Sequence, residues 1–262
     1  MNSSSLHRKE QLLHAAKLGG TRRNVLYGNL GTAEGRRRGG LVSAQKQRDT
    51  GKGITLPKKI RLPRNSSALA EFVGIVAGDG HLAEYQVAIS TNSITDVDHA
   101  HFIGNLGQKL FGVIPKLTAL KSRKVITIIF SSKEMVRILQ LKGLIVGNKV
   151  QQHMRAPRWV MANPKYQIAF LRGVFDTDGG IFLDKHRIKH KLYAHLAWQF
   201  TSAIPEFLSD IAFILRQHGY RFSHSIQRVN ILMRRASDIK RYFDEVGTHT
   251  AKHFSRFVGL KP

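Results

Sequence analysis

Phe72-Val73-Gly74-Ile75-Val76-Ala77-Gly78-Asp79-Gly80 and Leu171-Arg172-Gly173-Val174-Phe175-Asp176-Thr177-Asp178-Gly179 are two similar segments of one chain, and in both the last acid precedes a glycine. Small residues stand at matching distances before that acid, at Ala70, Gly74 and Gly78 and at Ala169, Gly173 and Thr177. This spacing places them along one narrow stripe of a helix, and bulky apolar residues occupy the flanking positions. Each segment is therefore predicted to form a helix with a core-facing side and a small-residue side.

The small-residue sides predict that the two helices pack against each other. Glycine inside a helix costs about 1 kcal/mol relative to alanine, which indicates that another backbone approaches closely. If the two stripes meet, Asp79 and Asp178 lie together at a shared helix end. Both carboxylates then oppose the helix dipole and repel each other, so cations between them are expected. Oxygen ligands favour magnesium, and we predict two or more divalent ions shared by the aspartates, with Gly78 and Thr177 as further ligands.

Both segments resemble the LAGLIDADG motif of homing endonucleases, and two copies in one chain resemble the single-chain members of that family. The likeness covers roughly residues 65 to 262. The first copy departs from the motif at Ala77, where the second keeps Asp176, but the last acid, which binds metal in the family, is present in both as Asp79 and Asp178. The resemblance implies an α+β fold of two pseudo-symmetric helix-strand-strand-helix-strand-strand-helix halves, whose antiparallel sheets form a DNA-binding saddle.

The charge of the chain indicates a polyanionic partner. The 262 residues carry 42 Lys and Arg against 17 Asp and Glu, a net charge of +25. Basic side chains placed along phosphates gain affinity by releasing condensed counterions, so nucleic acid is the direct interpretation. The chain has no cysteine, which removes disulfides and the usual structural zinc sites, and it has no membrane span or signal peptide. We therefore expect an intracellular protein, cytoplasmic or organellar, that is not secreted and has no membrane partner.

Three regions are predicted along the chain. Residues 1–64 form a basic N-terminal extension with 15 Lys and Arg against three acids, which we interpret as a flexible arm that lies on nucleic acid through Arg36, Arg37 and Arg38. A solvated tail is the alternative. Residues 65–155 and 156–262 then hold the first and the second motif repeat. Because both repeats lie in one chain, we expect a monomer.

The pattern between the motifs predicts strands and helices in the same order in both halves. Period-two alternation predicts strands near residues 85–90, 125–130, 195–201 and 229–233, and helical periodicity predicts helices at 98–111, 134–141, 206–217 and 238–246. The polar strand faces are candidates for base readout, because a two-stranded ribbon fits the major groove. The residues concerned are Gln86, Ser90 and Asn92 in the first half and His195, Gln199 and Thr201 in the second.

The expected activity is hydrolysis of a DNA phosphodiester at one long site, with Asp79 and Asp178 as catalytic metal ligands. The resemblance adds a basic residue near the end of the last strand of each half, for which Lys133 and Arg235 are the candidates. Lys149 and Lys252 follow the closing helices and are predicted to contact phosphate. The expected partner is double-stranded DNA, and the resemblance implies that the gene for the endonuclease lies within an intron. An RNA maturase that binds host intron RNA, or a DNA-binding protein that does not cleave, remains the alternative.

Overall fold

The computed structural model describes residues 32–51, 60–120, 123–225 and 229–259, together with Gln11, Leu13, His14, Ala16, Lys17, Leu18 and Gln227. The chain divides into two compact units, Met1–Leu56 and Pro57–Pro262. In the first unit, α1 (Ala33–Thr50) begins after Thr32, whose hydroxyl accepts a hydrogen bond from the Gly35 amide at 3.1 Å. None of its side chains is buried.

The second unit contains two consecutive halves with the same order of elements. The first half comprises α2 (Ser67–Gly78), β1 (Gly80–Leu82), β2 (Gln86–Asn92), α3 (Val97–Phe111), β3 (Lys116–Leu120), β4 (Val125–Ser131) and α4 (Lys133–Leu141). A short helix α5 (Arg158–Met161) leads to the second half, which comprises α6 (Pro164–Asp178), β5 (Gly179–Ile188), β6 (Lys191–Thr201), α7 (Pro205–Gln217), β7 (Ser223–Ser225), β8 (Asn230–Met233), α8 (Ala236–Glu245) and α9 (Ala251–Gly259).

The two sheets have the same topology. Their strand orders are β1-β2-β4-β3 and β5-β6-β8-β7, and every neighbouring pair is antiparallel. Alternate residues of the central strands face the core: Val87 and Ile89 in one half, and Trp198 and Phe200 in the other, are almost completely buried. The predicted α+β fold of two equivalent halves is therefore confirmed.

The halves differ in the length of their first hairpin. β1 pairs with β2 over three residues, whereas β5 and β6 pair over ten. The long hairpin turns at Lys189 and His190, which both have positive φ angles, of 45° and 68°, as a two-residue type I′ turn requires. Because β8 pairs with β6 only over residues 198–201, most of β5 and β6 forms a two-stranded ribbon.

The sequence patterns did not predict every element. Over residues 33–50 the N-terminal extension is helical, whereas the sequence analysis interprets it as a flexible arm. Residues such as Ala, Leu, Arg, Lys and Gln have high helix propensity and outweigh Gly39 and Gly40 there. The strand predicted near residues 85–90 begins one residue later, at Gln86, and Tyr85 before it is exposed. Within the described part of the chain, no helix is both long and apolar enough to cross a membrane.

Candidate active site at the paired helix ends

The site is built on the packing of α2 against α6. A hydroxyl of Ser66 caps α2 by accepting from the Leu69 amide at 3.2 Å, and Pro164 occupies the first turn of α6. The small stripes face each other: a Cβ atom added to Gly74 would lie 3.2 Å from the backbone nitrogen of Val174, and Gly173 is equally close to α2. Any larger side chain at these two glycines would separate the helices.

This packing brings Asp79 and Asp178 to the same end of the helix pair. Asp79 is the C-cap of α2, and Asp178 is the last residue of α6. Asp178 Oδ2 lies 3.0 Å from the position that a Cβ of Gly78 would take. Burial, together with the negative charge of Asp79, raises the pKa of Asp178 to about 7. Burial, with a smaller contribution from the charge of Asp96, also raises the pKa of Asp79, while the charges of Lys149 and Lys252 oppose the shift. Because Asp79 is exposed by its accessible surface, water screens these effects.

Lys149 lies directly on the end of α2. Its ammonium donates to the carbonyl oxygens of Val76 at 3.4 Å, Ala77 at 2.8 Å and Gly78 at 2.5 Å. It thereby satisfies carbonyls that have no partner inside the helix and neutralises the negative end of the helix dipole. Burial lowers the pKa of Lys149, while the charges of Asp178 and Asp79 oppose that shift. Lys149 therefore already donates a hydrogen bond to the carbonyl of Gly78, a residue that the sequence predicted as a metal ligand.

Lys252 approaches the same region from the second half. It lies in α9 and donates to Asp96 Oδ2 at 3.1 Å, and its charge acts to lower the pKa of Asp79. A cavity of about 380 Å³ opens beside this cluster and is lined by Gly78, Lys149, Asp178 and Thr201, among others. The carboxylates of Asp79 and Asp178 thus lie near two ammonium groups, and the cavity borders Asp178 and Lys149.

The other two predicted catalytic residues have different neighbours. Lys133 begins α4, with its ammonium 5.6 Å from the centre of the Tyr85 ring, and Arg235 precedes α8 as its N-cap. Among the described contacts, neither interacts with Asp79 or Asp178. Sequence position alone could not distinguish these residues from Lys149 and Lys252, since all four come shortly after the end of a strand or helix in the sequence.

The predicted base-reading residues lie on strands, as expected. Gln86, Ser90, Asn92, His195 and Thr201 are exposed, and Gln199 is partly buried. Two of these side chains form hydrogen bonds within the protein. Ser90 hydrogen-bonds to Thr127 across the strands at 3.0 Å, and the Asn92 side chain accepts from the amides of Ile94 and Thr95 and so shapes a turn. Arg36, Arg37 and Arg38 lie in the exposed helix α1.

A buried polar network behind the site was not foreseen. Glu71 of α2 accepts two hydrogen bonds from Arg172 of α6, at 2.9 and 2.7 Å, and one from His249 Nδ1 at 2.6 Å. Asp176 accepts from the Thr248 hydroxyl and from the His249 amide. Glu71, Asp176 and His249 are close enough to hold a metal ion. However, the guanidinium of Arg172 already provides the compensating cation, so we interpret the network as a clasp between the two motif helices and the turn before α9.

No family model matches the chain. The "Probable translation initiation factor IF-2" of Thermococcus kodakarensis is 28% identical over 171 residues, which are 65% of this chain and 13% of that protein. The "Replication factor C small subunit" of Methanocaldococcus jannaschii is 26% identical over 200 residues, 73% of this chain and 10% of that protein. The chain therefore spans about a tenth of the length of the curated relatives it matches.

Solved structures are matched over most of their own length. A crystal structure of the LAGLIDADG meganuclease I-AabMI bound to uncleaved DNA covers 73% of this chain and 89% of its own, with a TM-score of 0.50 and 11% identity. At this identity the likeness concerns the fold alone.

Proposed function

We propose that this chain, whose fold is that of the LAGLIDADG homing endonucleases, is a site-specific endonuclease that cuts both strands of duplex DNA. One observation carries the proposal: Asp79 and Asp178 meet at the end of two packed helices, where Lys149 offsets their charge. A structural role alone gives no reason to place two carboxylates at the C-terminal ends of two helices, since that position opposes both helix dipoles.

The donor set of the site suits hard divalent cations, and we propose two or more magnesium ions. Asp79 and Asp178 would hold them, with the carbonyls of Gly78 and Thr177 as further ligands. Burial, together with the charge of Asp79, raises the pKa of Asp178, and bound cations would offset this cost of its negative charge. When bound, the ions would supply an activated water and stabilise the charge that develops on the phosphate.

The side chains of the protein itself position the substrate and offset its charge. Lys149 and Lys252 belong to the two halves, and their charges act on the carboxylates, so we propose that both contact a phosphate at the site. Lys133 and Arg235 remain proposed catalytic residues, but the interactions of Lys149 and Lys252 with the aspartates support these two lysines better. Phosphate contacts fix the position of the duplex, while sequence is read at the base edges.

The outer faces of the two sheets are the proposed base-reading surfaces. The proposed set is Gln86, Ser90, Asn92, His195, Gln199 and Thr201, of which Asn92 also shapes a turn. The ribbon of β5 and β6 has the form that enters a major groove. Since both carboxylates come from one chain, we propose that a monomer cuts, and that it is encoded within an intron.

The first test is cleavage of a randomised duplex library with magnesium and with a chelator. We expect magnesium-dependent double-strand breaks at one long site. Asp79→Asn and Asp178→Asn should each reduce cleavage by at least about 100-fold while DNA affinity changes little, because binding depends on other surfaces. Asp244→Asn is a matched control, since Asp244 lies on the surface and pairs with Lys240.

Two results would contradict the proposal. Full cutting by the Asp79→Asn, Asp178→Asn double variant would show that these carboxylates do not hold the catalytic ion. Tight binding of host intron RNA, together with binding but no cleavage of the library, would instead favour the maturase.

A further inference from the structure

The two lysines at the site are held in place by different kinds of group. Lys149 donates to backbone carbonyls, those of Val76, Ala77 and Gly78. Lys252 donates to a side chain, the carboxylate of Asp96, at 3.1 Å. Backbone carbonyls at a helix end are fixed by the fold, whereas the position of Lys252 depends on one acid.

Asp96 is well placed to act as that anchor. Its side chain is 7% exposed, and the side chain of Lys252 is 28% exposed, so water screens their interaction only in part. The hydroxyl of Thr91 donates to the same Oδ2 atom at 3.1 Å, which fixes the orientation of the carboxylate. Asp96 is also the N-cap residue of α3, but its side chain makes no capping hydrogen bond. The carboxylate is therefore directed to Lys252 and Thr91 rather than to the helix.

Among the described residues, the second half has no equivalent of this anchor. The N-cap residue of α7, which corresponds to α3, is Ile204, and its side chain has no group that binds a cation. The two halves also differ at the first acid of the motif. Asp176 holds the turn at Thr248 and His249 that leads into α9, whereas Ala77 offers no such contact in the first half.

We propose that Asp96 is a positioning residue that holds Lys252 beside Asp79, so that the two sides of the site, at Asp79 and at Asp178, cut the two DNA strands with different sets of residues. This inference rests on the proposed endonuclease function. It deepens that function by predicting that the two strands of the target depend on different residues. Loss of the anchor should slow the cutting of one strand and convert the double-strand break into a nick.

The test is strand-resolved cleavage with each strand labelled separately. In Asp96→Asn, which keeps the shape of the side chain, we expect one strand to be cut 10- to 100-fold more slowly, because a displaced charged group loses its alignment with the phosphate. The other strand should be cut at the rate of the unaltered protein, so that nicked DNA accumulates. Equal slowing of both strands would overturn the proposal.

A double-mutant cycle identifies the group through which Asp96 acts. Lys252→Met should slow the same strand, and the combined Asp96→Asn, Lys252→Met variant should cut it no more slowly than Lys252→Met alone. Additive losses would show that Asp96 does not act through Lys252. Asp244→Asn is again the control, because it breaks a Lys–Asp pair of the same type on the surface.

A second measurement does not require cleavage. Acetylation of lysine amines, mapped by mass spectrometry, should be several-fold faster at Lys252 in Asp96→Asn than in the unaltered protein, with Lys149 unchanged. Circular dichroism checks that the variant is folded. If the unaltered protein never cuts DNA, the proposed function fails, yet the labelling still decides whether Asp96 holds Lys252. An unchanged labelling rate at Lys252 would refute the anchor.

Discussion

His99 and His253 are buried histidines with ring nitrogens that have no hydrogen-bond partner among the described residues. His99 lies in α3 with its Nε2 atom 3.9 Å from Asp176 of α6, and the ring of His253 in α9 lies 4.9 Å from that of Phe175 in α6. Burial lowers the pKa of His99 to about 4, and burial together with Lys252 and Arg256 lowers the pKa of His253 to about 4. Both residues are therefore neutral in the folded protein at neutral pH, and folding keeps them from taking up protons as the pH falls.

The sign of the resulting pH dependence follows from these pKa values. Consider a histidine whose pKa is near 4 in the folded state and near 6.5 in the unfolded state. Above pH 6.5 it is neutral in both states and does not reduce the free energy of unfolding. As the pH falls from 6.5 towards 4, the free energy of unfolding decreases, because the unfolded chain binds the proton first. For one such residue the loss amounts to about 2 kcal/mol at pH 5.

Replacement of His253 by leucine should remove its share of this pH dependence. Leucine has a similar volume and brings no polar atoms to a position where both ring nitrogens are unpaired among the described residues, so we expect His253→Leu to be at least as stable as the unaltered protein at pH 7.5. Between pH 7.5 and pH 5 its free energy of unfolding should fall by about 2 kcal/mol less. Urea unfolding at both pH values checks this, and parallel losses would contradict it.

Asp176, the first acid of the second motif, has a structural role that its position in the sequence does not reveal. Ala77 in place of an acid looked like a minor departure, and Asp176 had no predicted role. The structure places Asp176 within the clasp, where it accepts hydrogen bonds from Thr248 and the His249 amide. These partners lie 72 and 73 residues further along the chain. A contact over such a distance leaves no periodic signal, so only the fold could assign it.

At the level of the element, the contact between α2 and α6 depends on having no side chain at Gly173. A Cβ atom there would lie 2.9 Å from the backbone nitrogen of Ile75 and even closer to the Glu71 carbonyl. These atoms belong to a helix backbone, which cannot move aside as a flexible side chain could. We expect Gly173→Ala to reduce the free energy of unfolding by about 1–3 kcal/mol, although alanine favours helices.

Gly180→Ala is the matched control for this prediction. Gly180 is the second residue of β5, the strand that follows the same helix, and an added Cβ would meet no atom within 4 Å. Its substitution should leave the free energy of unfolding within about 0.5 kcal/mol. Guanidinium unfolding of both variants measures the difference. Equal stabilities would show that the helices have room to separate without cost.

The elements that sequence predicted best are those with a long periodic pattern and a buried face. The motif helices, β2, β4 and α3 were found within a few residues because their apolar positions repeat. The strands β1, β3 and β7 have three to five residues each, too few for a period to stand out. Asp79 and Asp178 were identified because they end a repeated pattern, whereas the contacts of Lys149 depend on the path of the chain after α4.

At the level of the whole molecule, the basic charge is spread over both units of the chain. The net charge is +25, and residues 1–64 contribute 15 Lys and Arg against three acids. In α1 no side chain is buried, so its arginines contact solvent or a ligand rather than a core. A surface of this kind adds affinity for any polyanion without reading its sequence, so under the proposed function we expect the extension to supply affinity and the sheets to supply specificity.

This division of roles predicts a salt dependence that can be separated from target choice. Removing one basic side chain that neutralises a phosphate reduces the slope of log affinity against log salt concentration by about 0.9. Arg36→Ala, Arg37→Ala and Arg38→Ala together should therefore make the slope shallower by up to about 3, while the preferred target sequence stays the same. The control removes three charges from helices in the second unit, through Lys109→Ala, Arg137→Ala and Lys240→Ala. Affinity for one duplex, measured over a range of salt concentrations, compares the two variants. If both lower the slope equally, the arginines of α1 act only through net charge; if neither does, the extension lies away from the DNA.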